Sequence, residues 1–192
     1  MFKLAPLSAA IVLAVAGQVM ADDSLSTQNQ AGTENIAEVK QTAAPYSTAT
    51  QNQYGEGNNH AIKQEGGNSP IWQDAAGDYN AGYAEQLYEF GSEIHQNQTG
   101  ALNVAHASQS LGTENTAQQT QQGTGNQSYT WQLYGDNNKA TITQTDGVNG
   151  ANVAYVTQGG SYNQAVVDQS GANMNATVQQ FGNGNQASVL QQ

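Results

Sequence analysis

The chain has 192 residues, of which 37% are hydrophobic and 10% are charged, and its formal net charge is −11. So small an apolar share leaves little material for a conventional core, and the absence of cysteine excludes disulfides and thiol chemistry. With only four Lys and Arg residues, the composition argues against binding to nucleic acid or to an anionic membrane surface.

The N-terminus has the pattern of a secretory signal peptide over residues 1–21. Lys3 gives it a basic start, an apolar run follows over residues 7–16, and small residues close it. The run is too short to span a bilayer comfortably. We therefore expect cleavage before Asp22, which leaves a mature chain without an integral membrane segment. A short polar N-terminal segment, residues 22–29, then precedes the first repeat.

Over residues 30–192 the chain repeats Gln-x-Gly-x-x-Asn-x-Ala-x-x-x-Gln at a step of 11 or 12 residues. The closing Gln of one copy often opens the next copy, so each unit is one strand and one turn. The Gly-x-x-Asn tetrad is predicted to form the turn, because Gly permits positive φ and Asn bonds its own backbone. The predicted turn glycines are Gly32, Gly55, Gly77, Gly100, Gly112, Gly123, Gly135, Gly160, Gly171 and Gly182.

The repeat predicts an all-β solenoid rather than helices, because a Gly and an Asn recur in every unit and would break helices. Within a strand, the Ala, the residue two later and the closing Gln share one face. Two units make a coil of 22–23 residues, and about seven coils form two parallel sheets with rungs ~4.8 Å apart.

Inward Gln and Asn side chains are predicted to stack as amide ladders along the axis, each donating to the next, in an amyloid-like manner. The predicted ladder residues are Gln30, Asn35, Gln41, Gln53, Asn58, Gln64, Gln98, Asn103, Gln109, Gln158, Asn163, Gln169, Gln180, Asn185 and Gln191. Residues 64–98 match the repeat least. Pro70 cannot donate to a sheet there, so we expect loosened strand pairing in that region.

No residues fit a catalytic or metal site. His60, His95 and His106 are the three histidines, and none has metal-ligand spacing to another. His60 occupies an inward Ala position, where a tolerated substitution is the simplest interpretation. The carboxylates are scattered and no phosphate-binding glycine loop is present, so we expect neither enzyme activity nor a metal or cofactor.

The last complete repeat closes at Gln191, so we expect an uncapped end and head-to-tail stacking into an open filament. Over residues 30–191 the units resemble the curlin repeat of curli, the extracellular amyloid fibres of bacteria. The resemblance implies a secreted homopolymer at the cell surface, with a nucleator subunit and an outer-membrane export channel as partners. It also implies roles in adhesion, aggregation and biofilm matrix, with the first and last Gln and Asn ladder residues most important for seeding.

Among curli subunits, these features favour the major subunit, and the minor nucleator of the same fibre stays open as the alternative. A monomeric β-solenoid adhesin or ice-binding protein is a rival from another class. An ice-binding face needs a column of Thr-x-Thr, and only Thr141 and Thr143 fit that pattern. A disordered Gln- and Asn-rich secreted chain is the second rival, against which the strict period argues.

Overall fold

The structure is a computed structural model that describes residues 23–146 and 150–192. This part of the chain contains fifteen β-strands and no helix. The strands are β1 (Leu25–Thr33), β2 (Ile36–Thr42), β3 (Thr48–Glu56), β4 (Asn59–Asn68), β5 (Pro70–Asp78), β6 (Ala81–Phe90), β7 (Glu93–Ala101), β8 (Val104–Thr113), β9 (Thr116–Thr124), β10 (Gln127–Leu133), β11 (Lys139–Asp146), β12 (Val153–Gly159), β13 (Gln164–Gly171), β14 (Asn175–Phe181) and β15 (Gln186–Gln191).

Successive strands lie in opposite sheets. The odd-numbered strands form an eight-stranded sheet and the even-numbered strands form a seven-stranded sheet. Every pairing is parallel and joins a strand to the strand two later, as in the register of Gln41 with Gln64. The chain therefore winds as a β-solenoid with two strands per coil, and the predicted all-β fold of about seven coils is confirmed.

The interior between the two sheets consists of the alternate residues that each strand directs inward. In β3, Ala49, Gln51 and Gln53 are buried, while Thr50 and Asn52 between them are half-buried. The inward set of a typical strand is a small residue, a β-branched residue and a Gln, which suits two closely packed sheets. Amides thus occupy positions that aliphatic side chains hold in ordinary cores, and they need partners within the solenoid.

Each coil has two corners. The first corner connects a strand of the eight-stranded sheet to the seven-stranded sheet, and the second corner leads back. At the first corner, five strands continue through the motif glycine and one residue beyond it, so the bend lies later than predicted. In β3 the strand includes Gly55 and Glu56, and the bend falls at Gly57 and Asn58. The motif glycine is therefore a strand-end residue there, and a second residue with positive φ makes the corner.

The predicted loosening over residues 64–98 is wrong. β4 and β6 have ten residues each; β4 pairs in register with β6, and β6 pairs in register with β8. Pro70 is the first residue of β5, which is one of the positions where a strand accepts proline. In other coils the first residue of the strand donates its backbone N–H to the carbonyl just before the next strand of the sheet, as Leu25 does to Ser47 and Glu93 to Asn115. Pro70 has no N–H, and the corresponding carbonyl, that of Ser92, accepts from Gln86 Nε2 at 2.9 Å.

The first strand begins at Leu25, so the eight-stranded sheet includes part of the segment that the sequence analysis placed before the repeats. Its side chains join the columns of the next coil: Gln28 Nε2 donates to Gln51 Oε1 at 3.0 Å. The predicted signal peptide, residues 1–21, lies outside the described residues.

Candidate assembly interface

A continuous ladder of glutamines runs along the inner face of the seven-stranded sheet. In every step the Nε2 of one Gln donates to the Oε1 of the Gln in the next coil, at 2.7–3.1 Å. A buried amide without a partner costs about 1–3 kcal/mol, and the ladder avoids that cost at each internal rung. Its members are Gln41, Gln64, Gln86, Gln109, Gln132, Gln158 and Gln180, five of which are predicted ladder residues.

The eight-stranded sheet carries the matching ladder with one interruption. Gln30 Nε2 donates to Gln53 Oε1 at 2.8 Å, and the next position in the column is Ala75. Beyond Ala75 the ladder resumes with steps of 2.8–3.0 Å through Gln98, Gln121, Gln144, Gln169 and Gln191. All ten predicted ladder glutamines thus lie in these two columns, five in each sheet.

A third glutamine ladder, beside the second one, was missed by the sequence analysis. It consists of Gln28, Gln51, Gln73, Gln96 and Gln119, with steps of 2.7–3.0 Å. The next position in this column is Ile142. The signal was present as Gln-x-Gln pairs that begin at Gln28, Gln51, Gln96 and Gln119, at a position where the expected pattern had a β-branched residue.

Asparagines stack at the corners. At the first corner, Asn58 Nδ2 donates to Asn35 Oδ1 at 3.0 Å and to the Gly77 carbonyl at 2.7 Å. The first-corner column is Asn35, Asn58, Asn80, Asn103, Asn126 and Asn152. The second-corner column is Ser47, Ser69, Ser92, Asn115, Asn138, Asn163 and Asn185. The predicted Asn163 and Asn185 therefore lie at the opposite corner from Asn35, Asn58 and Asn103.

The predicted glycines divide in the same way. Those at the first corner are Gly32, Gly55, Gly77, Gly100, Gly123 and Gly171, and those at the second corner are Gly112, Gly135, Gly160 and Gly182. At seven of these glycines a Cβ would lie 1.9–2.2 Å from a glycine carbonyl oxygen in the next coil, so a side chain does not fit; they are Gly32, Gly55, Gly77, Gly100, Gly112, Gly135 and Gly160. A Cβ placed on Gly100, whose φ is +112°, would lie 2.0 Å from the Gly123 carbonyl oxygen. This close approach keeps the coils in hydrogen-bonding contact at the corners.

A buried carboxyl, Glu89, joins the serine part of the second-corner column to its asparagine part. It occupies a position that is glycine in the neighbouring coils, and its Oε2 accepts from Ser92 Oγ at 2.5 Å and from Asn115 Nδ2 at 3.1 Å. Burial raises the pKa of Glu89, although the bonds from Ser92 and Asn115 act in the opposite direction. The carboxyl group thus supplies the acceptor that an asparagine at position 92 would supply.

His60 lies at the interruption in the glutamine ladder. It is fully buried, and Gly82 lies beside it in the next coil, where a Cβ would approach the imidazole to 3.1 Å. Gln98 Oε1, which Ala75 leaves without a donor, has no hydrogen-bond partner. His60, Ala75 and Gly82 therefore form one compensated change, in which the imidazole takes the room of smaller neighbours. Burial lowers the pKa of His60 to about 4, although Gln98 and Asp74 act to raise it.

His60 makes the stability of the folded chain sensitive to acid. Because its pKa falls from 6.5 to about 4 on folding, its contribution is fully present above pH 6.5 and is lost as the pH falls to 4. The difference corresponds to about 3 kcal/mol. Chemical unfolding gives the free energy of unfolding at pH 7 and at pH 4. Between these values the native chain should lose about 3 kcal/mol more than a His60→Gln variant. The raised pKa of Glu89 has the opposite effect on stability, but Glu89 is present in both proteins, so its effect cancels in the comparison. Equal losses in the two proteins would contradict the lowered pKa of His60, and His95→Gln, a change at a half-buried histidine, serves as control.

The ladders give the two ends of the solenoid opposite hydrogen-bonding character. Glutamine Nε2 groups point from β1 towards β15, so Gln30 and Gln41 present Oε1 acceptors at the β1 end, and Gln180 and Gln191 present Nε2 donors at the β15 end. Asparagine amides point the other way, since Asn185 donates to Asn163 and leaves its own Oδ1 at the β15 end. The two end surfaces are therefore complementary to each other and not to themselves.

Within residues 23–146 and 150–192, no group of three His, Asp or Glu side chains is arranged to hold a metal ion. In the same part of the chain, no helix is long and apolar enough to cross a membrane.

Residues 112–145 match the family described as curlin associated repeat. This segment contains β9, β10 and most of β11, with three copies of the motif. The columns of stacked residues that pass through it continue in register into the coils on both sides. No curated protein matches the chain. The chain is therefore similar to the curlin family over residues 112–145, and the inward residues of this segment continue in register along the solenoid.

Proposed function

We propose that the chain is the structural subunit of an extracellular curli-type fibre and that its function is self-assembly. The observation that carries the proposal is the complementarity of the two end surfaces: one presents amide donors where the other presents acceptors. A contact between unlike surfaces does not close on itself and generates an open filament.

The end strands support the same proposal through their unpaired backbone groups. Within the described residues, β1 and β15 at the ends of the eight-stranded sheet and β2 and β14 at the ends of the seven-stranded sheet each have a partner on one side. Such edges are templates for another strand. Val39 and Val189 are only partly buried against the core clusters at the two ends, and a stacked copy would cover both.

The finer parts of the proposed function rest on the similarity to the curlin repeat over residues 112–145 and on the sequence. The proposed route is export after cleavage of residues 1–21, passage through an outer-membrane channel, and growth from a nucleator subunit at the bacterial surface. The fibres would then serve adhesion, aggregation and biofilm matrix. The net charge of −11 supports this order of events, because repulsion between acidic chains delays association during export. We favour the major subunit over the minor nucleator.

Production of the full chain in a bacterium that has a curli export apparatus but lacks its own fibre subunits tests this function. We expect surface fibres that antibody against the chain labels along their whole length, and an extracellular N-terminus at Asp22. Deletion of residues 1–21 is the matched control and should leave the chain inside the cell. Labelling confined to fibre ends would indicate the minor subunit, and absence of fibres would contradict the proposal.

A further inference from the structure

We infer that consecutive subunits of the fibre are related by a half-turn about the solenoid axis, so that β15 of one subunit pairs with β2, not β1, of the next. The inference rests on the proposed function, since it specifies how two copies meet. It follows from three features of the end surfaces: their shape, their inward side chains and the direction of their hydrogen bonds.

The shape of the ends comes from the unequal sheets. β1 and β15 both belong to the eight-stranded sheet, so this sheet projects half a coil beyond the seven-stranded sheet at each end. If a second copy stacked without rotation, β15 would meet the projecting β1, and β14 would lie two rungs, ~9.6 Å, from the next subunit's β2. A half-turn instead places each projecting strand in the recess of the other copy, and both sheets continue without a gap.

The inward side chains favour the same pairing. From the corner onward, β15 presents Asn185, Ala187, Val189 and Gln191, and β2 presents Asn35, Ala37, Val39 and Gln41, the same four residue types in the same order. Inside the subunit β15 already stacks like on like, with Ala187 beside Ala165 and Val189 beside Val167. The inward positions of β1 are Ser26, Gln28 and Gln30, and Gln28 meets a valine in either register, Val189 without rotation and Val178 with the half-turn. The match between β15 and β2 therefore distinguishes the two registers.

Hydrogen-bond direction agrees with the match. Gln191 Nε2 would donate to Oε1 of the next subunit's Gln41, as Gln41 donates to Gln64 at 2.9 Å within the chain. The backbone N–H and Nδ2 of the next subunit's Asn35 would donate to Asn185 Oδ1, as the corresponding groups of Asn58 donate to Asn35 Oδ1 at 3.0 Å. Every amide of the β15–β2 junction then repeats a contact that the subunit makes internally.

The second strand pair of the junction, β14 with the next subunit's β1, has a precedent inside the chain. It joins Gln180 to Gln30 as a ladder step and places Val178 against Gln28. The same order, an aliphatic residue followed along the column by a glutamine, occurs between Ala75 and Gln98, where the Gln98 Oε1 acceptor likewise has no donor. A half-turn junction thus requires no kind of contact that the solenoid does not already contain.

Paired cysteines in this cysteine-free chain test the half-turn. In the half-turn register the exposed Ser188 lies beside the next subunit's Glu38, and in the unrotated register it would lie beside Thr27. Adjacent parallel strands bring such positions close enough for a disulfide. Fibres of Ser188→Cys/Glu38→Cys and of Ser188→Cys/Thr27→Cys are grown under reducing conditions, oxidised, and dissolved in denaturant without reductant.

We expect covalent multimers from the Glu38 variant and monomers from the Thr27 variant. The reverse pattern, or fibres that give multimers from neither variant, would overturn the half-turn while leaving fibre formation intact. Failure of the native chain to form fibres would instead overturn the proposed function. Should a cysteine variant not assemble, helical reconstruction of native fibres decides the question. Fifteen strands at two per coil predict a rise of about 36 Å per subunit with a rotation near a half-turn.

Discussion

We expect Gly100→Ala to lower the free energy of unfolding by more than about 3 kcal/mol. At a φ of +112° an L-residue is strained, and the added methyl group would lie 2.0 Å from the Gly123 carbonyl oxygen. Gly123 is itself fixed by the glycine column, so the backbone cannot withdraw without breaking strand pairing. The strain and the overlap therefore act together, and the coils on either side of Gly100 lose their contact at the first corner.

Gly184→Ala is the matched control, because Gly184 has a φ of +70° and nothing within 4 Å of the added carbon. This variant should lose only about 1 kcal/mol, the cost of a left-handed conformation for an L-residue. Guanidinium unfolding of freshly prepared chains, followed by far-ultraviolet circular dichroism, gives both values. Similar losses in the two variants would contradict the close approach of the coils.

Replacement of the end amides, in the double variant Asn185→Ala/Gln191→Ala, should slow growth from preformed native seeds at least tenfold. Both side chains are half-exposed in the subunit, where water can replace their lost partners, but both become buried at a junction between subunits. Each junction bond lost leaves a buried group unpaired at a cost of about 1–3 kcal/mol. For the two bonds together, this cost corresponds to more than a tenfold decrease in the elongation rate. Elongation is measured by thioflavin fluorescence at fixed seed number.

The same change in the middle of the chain, Asn80→Ala/Gln86→Ala, separates growth from folding. Asn80 and Gln86 are fully buried, and their bonds to Asn58 and Gln109 lie within one subunit. We expect this variant to lose more unfolding free energy than the end variant, but to slow elongation less. If both variants elongate at the same rate, the β15 end is not the growth surface.

Much of the fold follows from the sequence because the motif places an inward Gln and a corner Asn in every unit. The step of the motif sets the coil length, and the coil length sets which residues stack, so Gln158 on Gln180 and Asn163 on Asn185 could be predicted. The Gln-x-Gln ladder from Gln28 to Gln119 was overlooked because that position was expected to be β-branched.

The remaining features depend on residues in neighbouring coils, 22 or 23 positions apart, which a motif read one unit at a time does not compare. His60 is accommodated by Gly82 in the next coil, and Glu89 replaces an amide that Ser92 is too short to supply. The error over residues 64–98 had the same source. Pro70 was judged by its type, whereas its place at the start of β5 makes it acceptable.

X-ray diffraction from aligned fibres of the purified chain, residues 22–192, tests most directly whether one solenoid continues into the next. Continuous stacking predicts a sharp meridional reflection at ~4.8 Å from the rungs and an equatorial reflection near ~10 Å from the two packed sheets. A chain that stays monomeric, or fibres that lack the ~4.8 Å meridional reflection, would contradict the account.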